Sequence, residues 1–199
     1  MVVKRVFDII VSCIGLIIFS PIFVWLGITI IREDQGPVFY RAPRVGKDRN
    51  QFLIYKFRSM VINADKVGGP TTRSEDPRVT KIGQVIRKYK LDELAQLINV
   101  FFGQMSLVGP RPEIPSEVET YDPSCDIIFT VRPGITDFSS IEFRDEGGII
   151  ERSGIADSHE AYRQLIQPKK LELQKKYVRD RSFILDIKLI FQTILAIAK

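Results

Sequence analysis

The sequence predicts a mixed α/β, helix-rich fold, with an N-terminal re-entrant membrane helix (helix, break, helix) followed by a small cytosolic domain that carries amphipathic interfacial helices. Three patterns support this fold. Residues 6–31 carry a single charged side chain, Asp8. Residues 52–57 are rich in β-branched and aromatic side chains, which is typical of a strand. Between residues 82 and 101 the apolar positions recur at helical spacing and end near a glycine, which indicates one helix or two.

The apolar run at residues 6–31 is long enough to cross a bilayer but contains a break. As one helix it would extend roughly 39 Å at ~1.5 Å per residue, against a hydrocarbon core of about 30 Å. Ser20-Pro21 interrupts the run, because Pro21 has no N–H for the carbonyl of Ile17 and its ring clashes with that carbonyl. We therefore expect a kink at Ser20-Pro21.

Basic residues flank this run on both sides, with Lys4 and Arg5 before it and Arg32 after it. Because Lys and Arg tend to remain in the cytoplasm, the flanks favour both ends on the same face of the membrane. A re-entrant hairpin satisfies this condition, although the residues alone also leave open a straight transmembrane helix with a mild kink. The hairpin divides the chain into a membrane anchor at 1–35 and a cytosolic domain at 36–199.

The composition excludes several classes of protein. The 199 residues carry a formal net charge of +5 and two cysteines, Cys13 and Cys125, which are too few for a disulfide-stapled secreted module. The one histidine, His159, excludes a His-rich zinc site and makes a Ser-His-Asp hydrolase a poor interpretation. Any chemistry must therefore depend on carboxylates, Lys and Arg, with or without a metal ion.

A basic segment follows the anchor. Six cations opposed by one carboxylate lie within residues 41–58, and such a cluster beside a membrane attracts anionic head groups or phosphorylated ligands. Lys56 and Arg58 alternate along the predicted strand, so we expect them to share a face, either a solvated one or one that binds phosphate. Nucleic acid is not an expected partner, since the segment has neither a recognition helix nor an aromatic RNA-binding motif. The cations are Arg41, Arg44, Lys47, Arg49, Lys56 and Arg58.

The candidate catalytic residues are the adjacent carboxylates Asp92 and Glu93, which the apolar spacing places on a helix directly after Arg87, Lys88 and Lys90. On an ordinary surface helix such a pair is simply solvated. Phosphoryl transfer, however, needs these same groups: a carboxylate nucleophile or base, a second carboxylate for Mg²⁺, and cations for the phosphate oxygens. An aspartate side chain is ordinarily ionised at neutral pH, so Asp92 can serve as an anionic nucleophile.

Two further segments have two interpretations each. Arg111 lies between Pro110 and Pro112, and this rigid turn either points Arg111 at water or reduces the entropy lost when it binds an anion. Residues 182–199 begin with the cap residue Ser182 and form a broad apolar face. That face either packs on the domain core or lies at the bilayer interface.

The order of the motifs resembles one known family over nearly the whole chain. The sequence resembles the bacterial sugar transferases, which are monotopic phosphoglycosyl transferases, also called polyprenyl-phosphate sugar-1-phosphate transferases, in their small single-domain form. The motifs are Ser20-Pro21, KFRSM at 56–60, LDEL at 91–94, MSLVGPRP at 105–112 and VRPGIT at 131–136.

This resemblance implies an enzyme on the cytoplasmic face of the bacterial inner membrane, at the first membrane step of glycoconjugate and polysaccharide biosynthesis. The family moves a sugar-1-phosphate from a nucleotide-diphosphate sugar, usually a UDP-sugar, to undecaprenyl phosphate, and downstream glycosyltransferases can then extend the product. By resemblance, Asp92 is the nucleophile that attacks the β-phosphorus and expels UMP. The resulting aspartyl-phosphosugar is then passed to the lipid phosphate, in a ping-pong mechanism.

The resemblance also implies roles for other residues. Glu93 would be the Mg²⁺ ligand, and the Ser20-Pro21 break would belong to the family's re-entrant helix. Residues 137–143 depart from the family's pattern, which leaves the identity of the sugar open. The implied substrate-binding residues are Lys56, Arg58, Arg87, Arg111 and Arg144.

Two alternatives come from other readings of the same features. One is a membrane-surface module that binds anionic lipid through its basic residues without catalysis. The other is a Mg²⁺-dependent phosphohydrolase that uses water in place of a lipid phosphate.

Overall fold

A computed structural model describes residues 2–68 and 76–198, and within them the protein is helix-rich with two small sheets, which confirms the mixed α/β class. Short 3-10 helices occur at Lys47–Arg49, Leu91–Ala95 and Pro123–Thr130. The strands are β1 (Phe39–Val45), β2 (Gln51–Phe57), β3 (Ser106–Val108) and β4 (Gly134–Thr136). The α-helices are α1 (Val2–Ile18), α2 (Ser20–Asp34), α3 (Ala64–Val67), α4 (Lys81–Lys88), α5 (Gln96–Phe101), α6 (Pro115–Val118), α7 (Phe138–Glu142), α8 (Glu146–Arg152), α9 (Ser158–Leu165), α10 (Gln167–Asp180) and α11 (Phe183–Ala198).

The N-terminal apolar run is broken where the sequence predicts. Helices α1 and α2 meet at Phe19 with a bend of 59°. Pro21 lies in the first turn of α2, where its missing N–H leaves no intrahelical bond unmade, and the Ser20 hydroxyl donates a hydrogen bond to the Ile17 carbonyl at 2.7 Å. Within the described part of the chain, each helix taken singly is too short or too polar to cross a membrane, while this bent pair meets the requirement by length and composition.

Polar residues of α1 join it to the rest of the protein. Asp8, the one charge in the apolar run, is buried and accepts a hydrogen bond from the Leu107 N–H at 3.1 Å. The Lys4 ammonium donates to the Val108 carbonyl at 3.0 Å and pairs with Asp186 at 2.6 Å. Buried polar groups persist in a fold when they are hydrogen-bonded, and here those bonds connect α1 with β3 and α11.

Strands β1 and β2 form an antiparallel hairpin in which Tyr40 lies opposite Lys56 and Ala42 opposite Ile54. The predicted strand at 52–57 is confirmed. Strand β1 was not predicted, because the residues from Arg41 onward stand out in the sequence only by their positive charge. Ala42 and Ile54 are buried in the main core, so Lys56, two residues from Ile54, lies on the same face of the hairpin.

A parallel pair, β3 and β4, joins two of the sequence motifs. Ser106 pairs with Gly134 and Val108 with Thr136, and the Gly134 N–H donates to the Pro110 carbonyl at 3.0 Å. A Cβ atom at Gly134 would lie 2.0 Å from the Gly109 nitrogen, so only glycine fits where the two segments cross. This crossing fixes the backbone just before Arg111.

The C-terminal helices agree with the sequence pattern. Helices α9 and α10 separate at Ile166, and Pro168 lies in the first turn of α10. The Ser182 hydroxyl accepts the Leu185 N–H at 3.2 Å as the predicted cap of α11. One face of α11 packs on the core through the fully buried Leu189. The opposite face exposes large apolar side chains, among them Ile184 at 82%.

Candidate functional site

Asp92 and Glu93 lie on the 3-10 turn Leu91–Ala95, which separates α4 from α5. The sequence pattern left open one helix or two over residues 82–101, and the structure has two, α4 and α5, with the carboxylates on the 3-10 turn between them. Lys90 adopts a left-handed backbone conformation at φ 54°, which ends α4 and starts the turn, and the fully buried Ala95 anchors it. Both carboxylates are only partly exposed, with side-chain exposures of 15% for Asp92 and 20% for Glu93.

Four of the candidate residues meet at this turn. The Lys56 ammonium, from β2, lies 3.6 Å from Oδ2 of Asp92 and 3.5 Å from Oε1 of Glu93. The Arg111 guanidinium, from the loop after β3, donates to the same Glu93 oxygen at 2.6 Å. Two cations from separate elements thus hold two adjacent carboxylates that would otherwise repel each other.

The charges in this cluster shift the acidity of Glu93. Burial alone would raise the pKa of the Glu93 carboxyl, but the charges of Arg111 and Lys56 and the hydrogen bond from Arg111 outweigh burial and hold the pKa below its ordinary value. The Glu93 charge in turn raises the pKa of Arg111. Glu93 is therefore a carboxylate throughout the physiological pH range.

Asn99 connects the carboxylate turn to the strand that bears Lys56. Its side chain is fully buried, and its amide oxygen accepts the Tyr55 N–H at 2.9 Å. Its amide nitrogen donates to the carbonyl of Leu53 and to Gln104, both at 2.8 Å. Asn99 was not among the residues predicted from the sequence, although a polar residue among the apolar positions of a predicted helix was a usable signal.

Arg87 lies on α4 beside the cluster. Its Nε donates to the Ser59 hydroxyl at 3.0 Å. Burial lowers the pKa of the Arg87 guanidinium, while the negative charges of Asp92 and Asp76 oppose that shift, so the group remains cationic. Arg87 is thus a further positive charge close to Asp92.

Arg58 lies apart from the cluster. Strand β2 ends at Phe57, so the expectation that Lys56 and Arg58 share a strand face does not hold. The buried Arg58 guanidinium instead pairs with Asp34 at 2.5 Å and donates to the Pro37 carbonyl at 2.6 Å. The hydrogen bonds from Arg58 lower the pKa of Asp34. Through these contacts Arg58 connects the C-terminal end of α2 to the C-terminal end of β2.

Arg144 also lies outside the cluster, in the turn between α7 and α8. It is half-buried and has neither an ion pair nor a hydrogen bond with another residue of the described ranges. The Arg144 guanidinium can therefore form a hydrogen bond or ion pair with a ligand.

A second group of charges, which was not predicted from the sequence, lies on the other side of Arg111. The Lys170 ammonium is buried 2.7 Å from Glu113 and 3.6 Å from Glu146, and the Tyr162 hydroxyl donates to Glu113 at 3.1 Å. These residues come mainly from α8, α9 and α10, for which the residue pattern offered no functional signal. Glu113 and Glu146 add to the negative field around Arg111.

Comparison with known proteins places the chain in a family. The sequence matches the bacterial sugar transferase family over residues 1–199. The chain belongs to this family. It is 34% identical over 209 residues to exopolysaccharide production protein ExoY of Sinorhizobium fredii, with 98% of the chain and 84% of that relative covered. It is also 39% identical over 200 residues to the UDP-glucose:undecaprenyl-phosphate glucose-1-phosphate transferase of Klebsiella pneumoniae. That match covers 98% of the chain and 40% of the Klebsiella protein.

A third relative matches a shorter part of this sugar transferase. It is named a putative undecaprenyl-phosphate N-acetylgalactosaminyl 1-phosphate transferase of Bacillus subtilis, and is 47% identical over 119 residues, which cover 60% of the chain and 66% of the relative. The sugar transferase therefore spans most of its ExoY relative and well under half of the Klebsiella enzyme.

The carboxylate turn of the sugar transferase has the donor chemistry that Mg²⁺ prefers. No group of three or more His, Cys, Asp or Glu side chains suited to a metal occurs in residues 2–68 and 76–198. Mg²⁺ does not need one, because it commonly binds through one or two carboxylates together with substrate phosphates and water. Asp92 and Glu93 supply such carboxylates, and the contacts to Glu93 from Arg111 and Lys56 both use Oε1, which leaves Oε2 without a bond to any described group.

Proposed function

We propose that this sugar transferase moves a sugar-1-phosphate from a UDP-sugar to undecaprenyl phosphate. The observation that supports this most directly is the meeting of Asp92 and Glu93 with Lys56 and Arg111. It combines a partly exposed nucleophile with cations that can bind phosphate. Family membership supports the same reaction class, and the names of two of the relatives state phosphotransfer to undecaprenyl phosphate.

Asp92 is the proposed nucleophile. Its carboxylate oxygen attacks the β-phosphorus of the donor, the bond from that phosphorus to the bridging oxygen breaks, and UMP leaves with the electron pair. The aspartyl-phosphosugar is then attacked by an oxygen of undecaprenyl phosphate, which forms the lipid diphosphosugar and regenerates the carboxylate. This ping-pong order lets one site serve two anionic substrates in turn.

The main obstacle to this chemistry is the electrostatic repulsion between a carboxylate and a phosphate, and the neighbouring cations reduce it. Lys56 lies within 4 Å of the nucleophile, and Arg111 and Arg87 provide further positive charge around it. Glu93 is the proposed Mg²⁺ ligand, and bound Mg²⁺ would neutralise charge on the donor diphosphate. The proposed substrate-binding set also includes Arg58 and Arg144. Of these two, only the Arg144 guanidinium lacks a hydrogen bond or ion pair with another described residue.

We propose that residues 1–35 form a re-entrant, monotopic anchor in the bacterial inner membrane and that residues 36–199 form the catalytic domain on its cytoplasmic face. The bend between α1 and α2 and their apolar composition support the anchor. The exposed apolar face of α11 supports contact with membrane lipids. Such an anchor would bring the carboxylate turn to the head groups, where the phosphate of the lipid acceptor lies and from which downstream glycosyltransferases can take the product.

The proposed reaction is tested with purified full-length protein, Mg²⁺, a panel of UDP-sugars and undecaprenyl phosphate. We expect UMP release that depends on the lipid phosphate, and a lipid diphosphosugar as the second product. Release of free sugar phosphate at the same rate without lipid would instead identify a phosphohydrolase. Binding of anionic vesicles without UMP release from any donor would identify a non-catalytic lipid-binding module.

The proposed topology predicts the outcome of a labelling experiment. Single cysteines introduced at Lys4 and at Arg32, in a Cys13→Ser, Cys125→Ser background that retains activity, are expected to react with a membrane-impermeant maleimide from the cytoplasmic side only. A hairpin returns the chain to the face it entered, which is the physical reason for equal labelling. Labelling of the two positions from opposite sides would reject the re-entrant anchor.

A further inference from the structure

Arg44 lies on the same face of the β1–β2 hairpin as the site lysine. Tyr40 is paired with Lys56, and Arg44 follows Tyr40 by four residues on β1, so the two-residue period of a strand places both side chains on one face. At about 3.3 Å per residue, Arg44 lies roughly 13 Å along the hairpin from the Lys56 position. Ala42, between them on β1, is buried in the core.

The backbone next to Arg44 also runs beside the segment that carries Arg111. The Val45 N–H donates to the carbonyl of Glu113 at 2.9 Å, two residues after Arg111. The Arg44 guanidinium is close enough for the charges of Glu113 and Arg111 to act on it. Arg44 thus stands between the strand that bears Lys56 and the loop that bears Arg111.

Among the described residues, the Arg44 guanidinium has no carboxylate partner of its own. Its one hydrogen bond is to the neighbouring Pro43 carbonyl at 2.8 Å, and it forms no ion pair with a carboxylate of the described residues, although it is half-buried. The nearby Glu113 is already neutralised by Lys170 at 2.7 Å. Burial lowers the pKa of Arg44 and the nearby charge of Glu113 opposes that shift, and because an arginine remains protonated in a protein, the charge persists without an ion pair of its own among the described residues.

A half-buried, unpaired cation beside other cations is a stable arrangement when an anion completes it. A guanidinium presents parallel N–H donors that match phosphate oxygens. The proposed donor carries two phosphates, only one of which is attacked, and the acceptor carries a third. The carboxylate turn and Lys56 would bind the attacked phosphate. Arg44 lies farther along the same face, where a second phosphate can lie.

We propose that Arg44 binds the phosphate group that Asp92 does not attack. This inference rests on the proposed function. The ligand chemistry is a phosphate monoanion or dianion, supplied either by the α-phosphate of the donor, which leaves as UMP, or by the phosphate of the polyprenyl acceptor. The two sources predict different kinetic changes.

The test compares Arg44→Gln and Arg44→Lys with the full-length wild-type protein. Loss of a hydrogen-bonded charge contact is expected to raise one KM by about 10- to 100-fold in Arg44→Gln. Arg44→Lys is expected to recover part of that loss, because it keeps the charge and loses the paired donors. The control is Arg179→Gln, since Arg179 is an exposed arginine of α10 outside the basic segment at 41–58, and both kinetic constants should stay unchanged.

The pattern of change identifies the ligand. A raised KM for the UDP-sugar, with weaker product inhibition by UMP, assigns Arg44 to the donor α-phosphate, and a raised KM for undecaprenyl phosphate assigns it to the acceptor. If both constants in Arg44→Gln match those of the wild-type protein, the inference is overturned.

A binding measurement separates this inference from the proposed function. It uses Arg44→Lys, so the inference can be tested even if Arg44→Gln folds poorly. UMP is expected to raise the Tm of the wild-type protein and to raise that of Arg44→Lys less at the same concentration. An equal rise in both proteins, combined with unchanged kinetics, overturns the role of Arg44 while leaving the reaction intact. Absence of UMP release by the wild-type protein with every donor instead overturns the proposed function.

Discussion

Replacing Asp92 by asparagine is expected to reduce kcat by at least about 10³-fold and to leave the fold intact. An amide is a poor nucleophile toward phosphorus, so the covalent step is lost, whereas the 3-10 turn is anchored by the buried Ala95 and not by Asp92. Lipid-dependent UMP release measures the loss. A short incubation with donor labelled in the β-phosphate should leave label on the wild-type protein, at Asp92 by peptide mapping, and none on Asp92→Asn.

The matched control for this variant is Asp126→Asn. Asp126 forms an ion pair with Arg49 at 2.5 Å, and both side chains are largely exposed, so its loss should change stability by less than about 1 kcal/mol and leave kcat unchanged. Retention of normal turnover by Asp92→Asn, or an adduct mapped to another side chain, contradicts the assignment of Asp92 as nucleophile.

Features that depend on neighbours in the chain were predictable from the sequence. The break at Ser20-Pro21 follows from the missing N–H of proline, and the strand and helix patterns follow from side-chain spacing. The cap at Ser182 follows from the hydrogen-bonding capacity of its hydroxyl. Each of these depends on a few consecutive residues, and the structure confirms each one.

Features that depend on distant parts of the chain were not predictable in the same way. Arg58 pairs with Asp34, and Lys170 pairs with Glu113, across separations that no local pattern encodes. The turn that carries Asp92 was expected to be an α-helix because its apolar spacing is helical. Its 3-10 form depends on Lys90 in the left-handed region, a conformation that lysine seldom adopts.

The proposed anchor and the site share connections that explain their relative position. Glu33, in the last turn of α2, accepts the backbone N–H groups of Lys81 and Ile82 at the start of α4. The next residue, Asp34, pairs with Arg58 at the end of β2. The end of α2 is thus bonded to the two elements that carry Arg87 and Lys56, so a shift of the anchor would also move the cations around Asp92.

Replacing Arg111 by glutamine is expected to lower kcat/KM by about 10²-fold and to move the acid limb of its pH profile to higher pH. Arg111 supplies the closest charge to Glu93, 2.6 Å away, and so opposes the effect of burial on the pKa of Glu93. Without it the pKa of Glu93 rises, Lys56 compensates only in part, and the carboxylate protonates at a higher pH than in the wild-type protein. The measurement is kcat/KM for the UDP-sugar as a function of pH at fixed Mg²⁺.

Two comparisons make the Arg111 result specific. Arg49→Gln removes an exposed cation of the same domain and should leave the pH profile in place. Combining Arg111→Gln with Glu93→Gln should abolish the shift of the acid limb, because the group whose pKa moves is no longer ionisable. A profile for Arg111→Gln that falls in magnitude but keeps the wild-type acid limb would mean that Arg111 acts on the phosphates alone, and that the ion pair with Glu93 does not control the protonation of the site.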